Sequence, residues 1–286
     1  GRPELAIGRL VDARSLVNAL VALHAAGGTA AIGRWLIDDG FVDGNAPTVW
    51  GGTLSATLAE PALAEGRWAP TPPVAQSRDD RVLRRPAAPF GPEGGLRLLG
   101  GNLGRSIAKV SAVAAEHQVV EAPCRIFGDQ ADVIAAFKAG ELDRDVVVVV
   151  RFQGPAANGM PELHRLTPAL SILQGQGRRV ALVTDGRMSG ASGKVLAAIH
   201  VTPEAAHGGP IARLRDGDVV RVDGRNGVLA TAAALDSREP VGPPRPAPDA
   251  VPASHGRGYF DAFRRAVTGA EAGASLLFSG VTDDER

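Results

Sequence analysis

Five consecutive valines, Val146 to Val150, constrain this 286-residue chain more than any other feature. A β-branched run loses side-chain freedom in a helix and packs well on a pleated surface. An unbroken apolar run also has no polar face to offer water. Asp145 to Phe152 therefore reads as a strand buried on both faces, and Arg179 to Thr184 as a second buried strand. Helices are expected between and around them. Gln130 to Ala139 puts Val133, Ile134 and Phe137 on one face, and Leu163 to Gln174 places Leu166, Leu170 and Leu173 at helical spacing. Alternating strands and helices argue an α/β fold. Ile107 to Ala114 and Gln118 to Ala122 read as further strands. Asp218 to Val222 and Gly227 to Thr231 read as a late hairpin around Asp223-Gly224 and Asn226-Gly227.

Proline divides the rest. Seven of the 21 prolines lie between Pro61 and Pro92, and six between Pro240 and Pro252. Proline lacks the N–H that a ladder or helix needs, so both stretches read as connections. Three blocks result: roughly 1–60, 93–239 and 253–286. In the first, Leu10, Val11, Leu16, Val17, Leu20, Val21 and Leu23 form a helical stripe ended by Gly27-Gly28. A second helix is expected over Ala30 to Asp38, stopped by Gly40. Pro47 to Leu58 reads as a strand or turn and a short helix, and Tyr259 to Val267 as a short amphipathic helix.

Composition removes several function classes. Hydrophobic content of 44% is that of a globular protein. Lys+Arg and Asp+Glu are both 31, so no net basic field holds nucleic acid. No aromatic residue occurs between Phe152 and Tyr259, which removes stacking platforms for single strands. The longest apolar run is far too short for a membrane span. One cysteine, Cys124, cannot build a disulfide framework, or a zinc or iron–sulfur site from this chain's own thiolates. Without disulfides the default location is cytoplasmic. The N-terminus has no apolar export core and no initiator Met, so the chain reads as beginning inside a longer protein.

The most informative segment is Arg179 to His200, which contains VALVTDGRMSGASGKV. A buried strand runs into Asp185-Gly186 and then into a loop with Gly190 and Gly193. Small residues let backbone N–H groups approach an anion, and a helix following the loop would add its positive end. Ser189 and Ser192 are the candidate hydroxyls, Arg187 and Lys194 the candidate cations. The spacing is neither that of a Walker loop nor that of a nucleophile elbow, and an ordinary strand connection is the alternative. The second segment is FQGPAANGMPELH, Phe152 to His164. It places Glu162 after Pro161 at a helix start, where a carboxylate is ordinary helix chemistry and also a common metal ligand position. Glu162 and Ser189 lie about one strand–helix–strand repeat apart, so a parallel sheet would open both loops on one edge. The third segment, GGNLGR at Gly100 to Arg105, reads as a glycine turn before a strand or as a loop of backbone donors. The six histidines show no metal-ligand spacing.

GGNLGR, VVRFQGPAANGMPELH, VALVTDGRMSGASGKV and HVTPEAAHGGPIARLRDGDVVRVD together resemble the dihydroxy-acid dehydratase/phosphogluconate dehydratase family. The wording GASGKV and IHVTPEA favours its phosphogluconate branch. The resemblance runs from about Pro92 onward. LAIGRLVDARSLVNALVAL and AGGTAAIGRWLIDDG resemble two further family segments, joined near Ala25-Ala26-Gly27-Gly28. The resemblance implies a hydro-lyase that removes water from 2,3-dihydroxy carboxylates. For the phosphogluconate branch, 6-phospho-D-gluconate becomes 2-keto-3-deoxy-6-phosphogluconate in the Entner–Doudoroff pathway. It implies an iron–sulfur cluster acting on the leaving hydroxyl, with no ligand for it in this chain. Ser189 matches the serine that abstracts the C2 proton, and Glu162 matches a glutamate that holds Mg²⁺ in dihydroxy-acid relatives. Arg187, Gly190, Ser192, Gly193 and Lys194 are expected to bind substrate.

The implied fold is α/β: a β-rich swivelling β/β/α-type C-terminal domain over 93–286, and a small, mostly helical remnant plus Pro-rich connection over 1–92. The family's cluster-binding cysteines belong to an N-terminal half. The chain is therefore expected to be a C-terminal portion, whether truncated, internally deleted or one of two pieces, and inactive alone. Its expected partners are a small phosphorylated sugar acid and either a second copy or the missing half, with no nucleic acid and no membrane. The alternatives are a non-catalytic remnant or interaction module, and a dehydratase of another sugar acid.

Overall fold

The computed structural model describes residues 13–90, 94–188, 194–243 and 261–277. The chain divides into two compact units, Gly1–Gly94 and Gly95–Arg286.

The first unit is built on helices α1 (Ala13–Ala26) and α2 (Gly28–Asp38). Gly27 and Gly28 separate them with φ of 145° and 69°, which only glycine adopts without strain. Leu23, Ala26, Ala31, Trp35 and Leu83 form its buried cluster, and the Trp35 indole N–H donates to the Val74 carbonyl at 3.0 Å. After a short α3 (Leu54–Thr57) comes a hairpin, β1 (Glu60–Ala64) and β2 (Arg67–Thr71). This hairpin corrects the expectation that Pro61 to Pro92 carries no ladder. Pro61 faces Pro70 across the hairpin, three pairs from the Ala64–Arg67 pair that closes the two-residue turn. Antiparallel pairs alternate between bonded and non-bonded, so both prolines fall where no N–H is required. Glu65 and Gly66 supply the two positive φ angles of a primed hairpin turn.

The second unit is an eight-stranded mixed sheet in the order β10-β9-β5-β6-β7-β8-β4-β3. Its strands are β3 (Leu96–Leu99), β4 (Arg105–Lys109), β5 (Val119–Phe127), β6 (Val146–Val150), β7 (Val180–Thr184), β8 (Leu196–Thr202), β9 (Val219–Asp223) and β10 (Val228–Thr231). β5, β6, β7 and β8 are mutually parallel, and the outer pairings are antiparallel. The sheet nearly closes on itself as a barrel. Gly100 donates to the Gly227 carbonyl and accepts from Leu229 N–H, each at 2.9 Å. The Asn102 side chain adds two bonds to the Thr231 backbone, at 2.7 and 2.9 Å. A Cβ on Gly101 would stand 2.2 Å from the Leu229 carbonyl oxygen. The GGNLGR segment thus spends its backbone groups on closing the sheet.

The valine run behaves as its chemistry demands. Val147 and Val149 join the inner cluster with Ala181, Val183, Leu196 and Ala198. Val146, Val148 and Val150 join an outer cluster with Val133, Leu166, Leu170 and Leu173 from α4 (Gln130–Lys138) and α6 (Leu166–Gly175). Each buried valine contributes about 1.5–3 kcal/mol, and neither face can accept a charge. β5 runs on through Pro123, beyond the expected end at Ala122. It passes there from pairing with β9 to pairing with β6, so the missing N–H falls at the changeover. The sequence pattern does not predict β3 or β8, whereas it does predict the hairpin of β9 and β10. Among the described residues no single helix is long and apolar enough to cross a membrane.

Candidate functional site

Because β6 and β7 are parallel neighbours, their C-terminal ends open on one edge of the sheet. After β6 the chain makes a short helix, α5 (Pro155–Asn158), and returns through Met160 and Pro161 to Glu162. After β7 it passes Asp185 and Gly186 to Arg187. The two returns meet: Glu162 and Arg187 form a parallel bridge, and Leu163 N–H donates to the Arg187 carbonyl at 3.0 Å. On the other side, His200 N–H of β8 donates to the Gly186 carbonyl at 2.9 Å. The Gly186-Arg187 backbone is therefore held between the Glu162-Leu163 segment and His200. The exposed Arg187 guanidinium donates from Nε to the Met160 carbonyl at 2.8 Å.

A buried carboxylate fixes this edge from below. Asp185 has no accessible surface. Its Oδ1 accepts Gln153 N–H at 2.8 Å, and its Oδ2 accepts Phe152 N–H at 3.1 Å and Ala205 N–H at 3.0 Å. Burial pushes its proton affinity up, against the pull of those three donors, and the charge of Glu204 adds to the rise. Glu204 is buried too and accepts the N–H groups of Ala156 at 3.0 Å and Ala157 at 3.1 Å, capping α5. Gln153 completes the clamp, donating to the Gly128 carbonyl at 2.6 Å and accepting from Asn158 at 3.1 Å.

Backbone strain gathers at this edge. Of the five non-glycine residues with positive φ among the described residues, Phe152, Met160 and His200 lie here, at 64°, 58° and 58°. Such residues persist where the surrounding structure holds them and cluster at functional sites. A cleft of about 440 Å³ opens beside the same loop, between Asn158 and Met160 on one side and Phe263, Arg264, Val267 and Leu276 on the other. Phe263 and Arg264 belong to α7 (Asp261–Ala266).

The structure brings Glu162 and Arg187 together and does not bring Lys194 to them. Met188 accepts from Thr167 at the start of α6, and the Lys194 carbonyl accepts from Gln174 near its end. Lys194 lies six residues before His200 along the chain that forms β8, roughly 20 Å from the Arg187 edge. Ser189, Gly190, Ser192 and Gly193 lie outside the described residues. Among the described residues, the next element after that loop is strand β8. Asp185, Glu204 and His200 were missed in the sequence. For Asp185 and Glu204 the signal is positional, since both sit just past the end of a buried strand, whereas His200 lies within β8.

The residues present do not fit an iron–sulfur cluster. Cys124 is the chain's one thiol. It is buried and donates to the Arg215 carbonyl at 3.2 Å, and burial, then the charges of Asp218 and Asp216, push it up to about 12. Only a thiolate ligates. Among the described residues no three His, Cys, Asp or Glu side chains gather as metal ligands. Glu162 by itself fits a subsidiary role, since Mg²⁺ is commonly held by one or two carboxylates together with substrate oxygens and water.

The dihydroxy-acid/6-phosphogluconate dehydratase C-terminal family matches residues 81–274, and the chain belongs to that family. Within it, phosphogluconate dehydratase of Pseudomonas aeruginosa is 57% identical over 256 residues, which are 88% of this chain and 41% of the relative. Phosphogluconate dehydratase of Escherichia coli K12 is 48% identical, over 89% of this chain and 42% of the relative. Dihydroxy-acid dehydratase of Metallosphaera sedula is 36% identical, over 72% of this chain and 35% of the relative. The chain spans about two fifths of the length of the phosphogluconate dehydratases it matches.

Proposed function

We propose that this chain supplies the substrate-binding and base-bearing side of a hydro-lyase that converts 6-phospho-D-gluconate to 2-keto-3-deoxy-6-phosphogluconate, a reaction of the Entner–Doudoroff pathway. The observation that carries this reading is the Glu162–Arg187 bridge. It sets the GMPE and TDGR segments side by side in a chain 57% identical to a phosphogluconate dehydratase.

Each residue has a defined task in this reading. Arg187 takes the carboxylate or phosphate of the sugar acid, for which a planar guanidinium is suited. Ser189, two residues further on, removes the C2 proton as an alkoxide. A proton next to a carboxylate is weakly acidic, so base and enolate both need positive charge nearby, which Arg187 provides. Glu162 would contribute one ligand to a Mg²⁺ ion, which supplies further charge stabilisation to the enolate when bound. Gly190, Ser192 and Gly193 bind substrate alongside Arg187 in this reading. The 3-hydroxyl must depart as water with electrophilic help that the one buried thiol does not provide and for which no ligand cluster gathers among the described residues. That help belongs with residues outside this chain, and the working enzyme is assembled with them.

Two measurements test this. Calorimetric titration of the chain with 6-phosphogluconate is expected to show binding that weakens at least about tenfold in Arg187→Ala, the loss of one charge-assisted pair. The chain alone is expected to produce no keto acid from 6-phosphogluconate. Binding indifferent to Arg187→Ala, or turnover by the homogeneous chain, overturns the reading. Tighter binding of an unphosphorylated dihydroxy acid would reassign the substrate.

A further inference from the structure

One further residue stands at the Arg187 edge through a distortion of its own strand. Along the pairing of β4 with β8, Arg105 faces Thr202 and Ile107 faces Ile199. Two residues of β8, His200 and Val201, therefore stand opposite the single residue Ser106. This is a β-bulge, a device that bends a strand and re-aims a side chain, and it recurs at barrel rims. Val201 is packed in the inner cluster and Ile199 against the outer one. His200 is the residue the bulge frees from that alternation.

The backbone at His200 is left-handed, at φ 58°. Glycine is the low-cost residue there, and a side chain adds strain. The bulge is nevertheless held in place. His200 N–H donates to Gly186 at 2.9 Å, and the Thr202 hydroxyl donates to the His200 carbonyl at 3.1 Å. The imidazole is half-buried and lies within the field of the Arg187 charge, which, after burial, lowers its proton affinity. An imidazole with that environment offers one donor and one acceptor nitrogen at neutral pH.

We propose that His200 is a further substrate-contacting residue of this edge, hydrogen-bonding a hydroxyl of the sugar acid whose charged end Arg187 holds. This rests on the reading of the Arg187 edge as the substrate site, and the two can fail separately.

The test uses the full chain uniformly labelled with ¹⁵N, with 6-phosphogluconate as the probe. The His200 ring signals, assigned by their loss in His200→Asn, are expected to move saturably with the same Kd as the Arg187 side-chain signals. His200→Asn keeps a residue tolerated in left-handed backbone, and His200→Gly relieves the backbone altogether. Both are expected to raise Kd about tenfold while the amide signals of Leu163 and Gly186 hold position. Equal loss in both variants assigns the effect to the imidazole. If Arg187 signals move and His200 signals do not, or if both variants bind as the parent does, this inference is overturned and the substrate site stands. If neither residue responds, the substrate site itself is wrong and the inference falls with it.

Discussion

Replacing Asp185 by Asn tests whether one buried carboxylate holds the candidate site together. The native side chain satisfies three backbone donors, Gln153 through Oδ1 and Phe152 and Ala205 through Oδ2. An amide has one acceptor oxygen, so it must turn its NH₂ towards either one donor or two. The cheaper orientation faces Gln153, leaving one buried N–H without an acceptor, at about 1–3 kcal/mol. A neutral amide recovers part of the burial cost that raises the Asp185 carboxyl. The expected net loss is about 1–2 kcal/mol. Asp185→Ala strands all three donors and is expected to lose about 3 kcal/mol or more. Urea unfolding reads both as lower midpoints with unchanged slope. Amide exchange at Gln153 and Ala205 should quicken ahead of the rest of the sheet. Protonation adds a signature. With its folded value raised, Asp185 contributes linkage stability that is full below the unfolded value near 3.9 and is lost as pH rises through the folded one. The gap between parent and Asp185→Asn should therefore narrow as pH climbs above about 4. An Asn variant as stable as the parent, with unchanged exchange at both amides, would refute the clamp.

Three other outcomes follow from the same structure. Burial works against ionisation of Asp223, yet hydrogen bonds from Asn226, Arg221 and Arg225 hold its carboxyl down to about 2. Its contribution, about 2 kcal/mol with some lost to salt at half-exposed Arg221, is present above about 3.8 and disappears as pH falls through 2. Asp223→Asn should remove that acid-side slope from a stability–pH curve. Cys124, pushed up to about 12, should resist a thiol reagent at pH 8 in the folded chain and react once urea unfolds it. Fast labelling without unfolding would contradict its burial. A Cβ on Gly154 would stand 2.2 Å from Glu204 Oε2. Gly154→Ala should lower Tm by displacing that cap, a loss of about 1–3 kcal/mol; an unchanged Tm would show that Glu204 moves freely.

The local chemistry of the central strands was legible from composition and spacing. Five valines with no polar alternation demand two apolar faces, and the helices beside them showed their stripes. The hairpin of β9 and β10 was legible for the same local reason, turn residues between alternating strands. The prolines of β1 and β2 misled because a proline's cost depends on whether its partner needs the missing N–H, and that is settled across the ladder. GGNLGR illustrates the same limit: its glycines read as a turn or an anion loop, and only the neighbouring strand shows that Leu229 and Gly227 take up its backbone.

The site divides along the same line. Residue type and strand-end position were enough to mark Glu162 and Arg187 as candidates, because strand ends are where α/β folds open to a ligand. Whether those ends meet depended on parallel pairing of β6 with β7, a non-local choice. Lys194 was grouped with Arg187 by nearness in sequence, and the strand that follows carries it to the far edge. The sequence by itself determined which segments must be buried and which families they resemble, since burial and turn chemistry are encoded residue by residue. Tertiary structure alone decided that Asp185 clamps three backbone donors, that Glu204 caps α5, and that a bulge in β8 frees His200 from the strand's alternation. Each depends on hydrogen bonds between residues distant in the chain, whose partners no local pattern names.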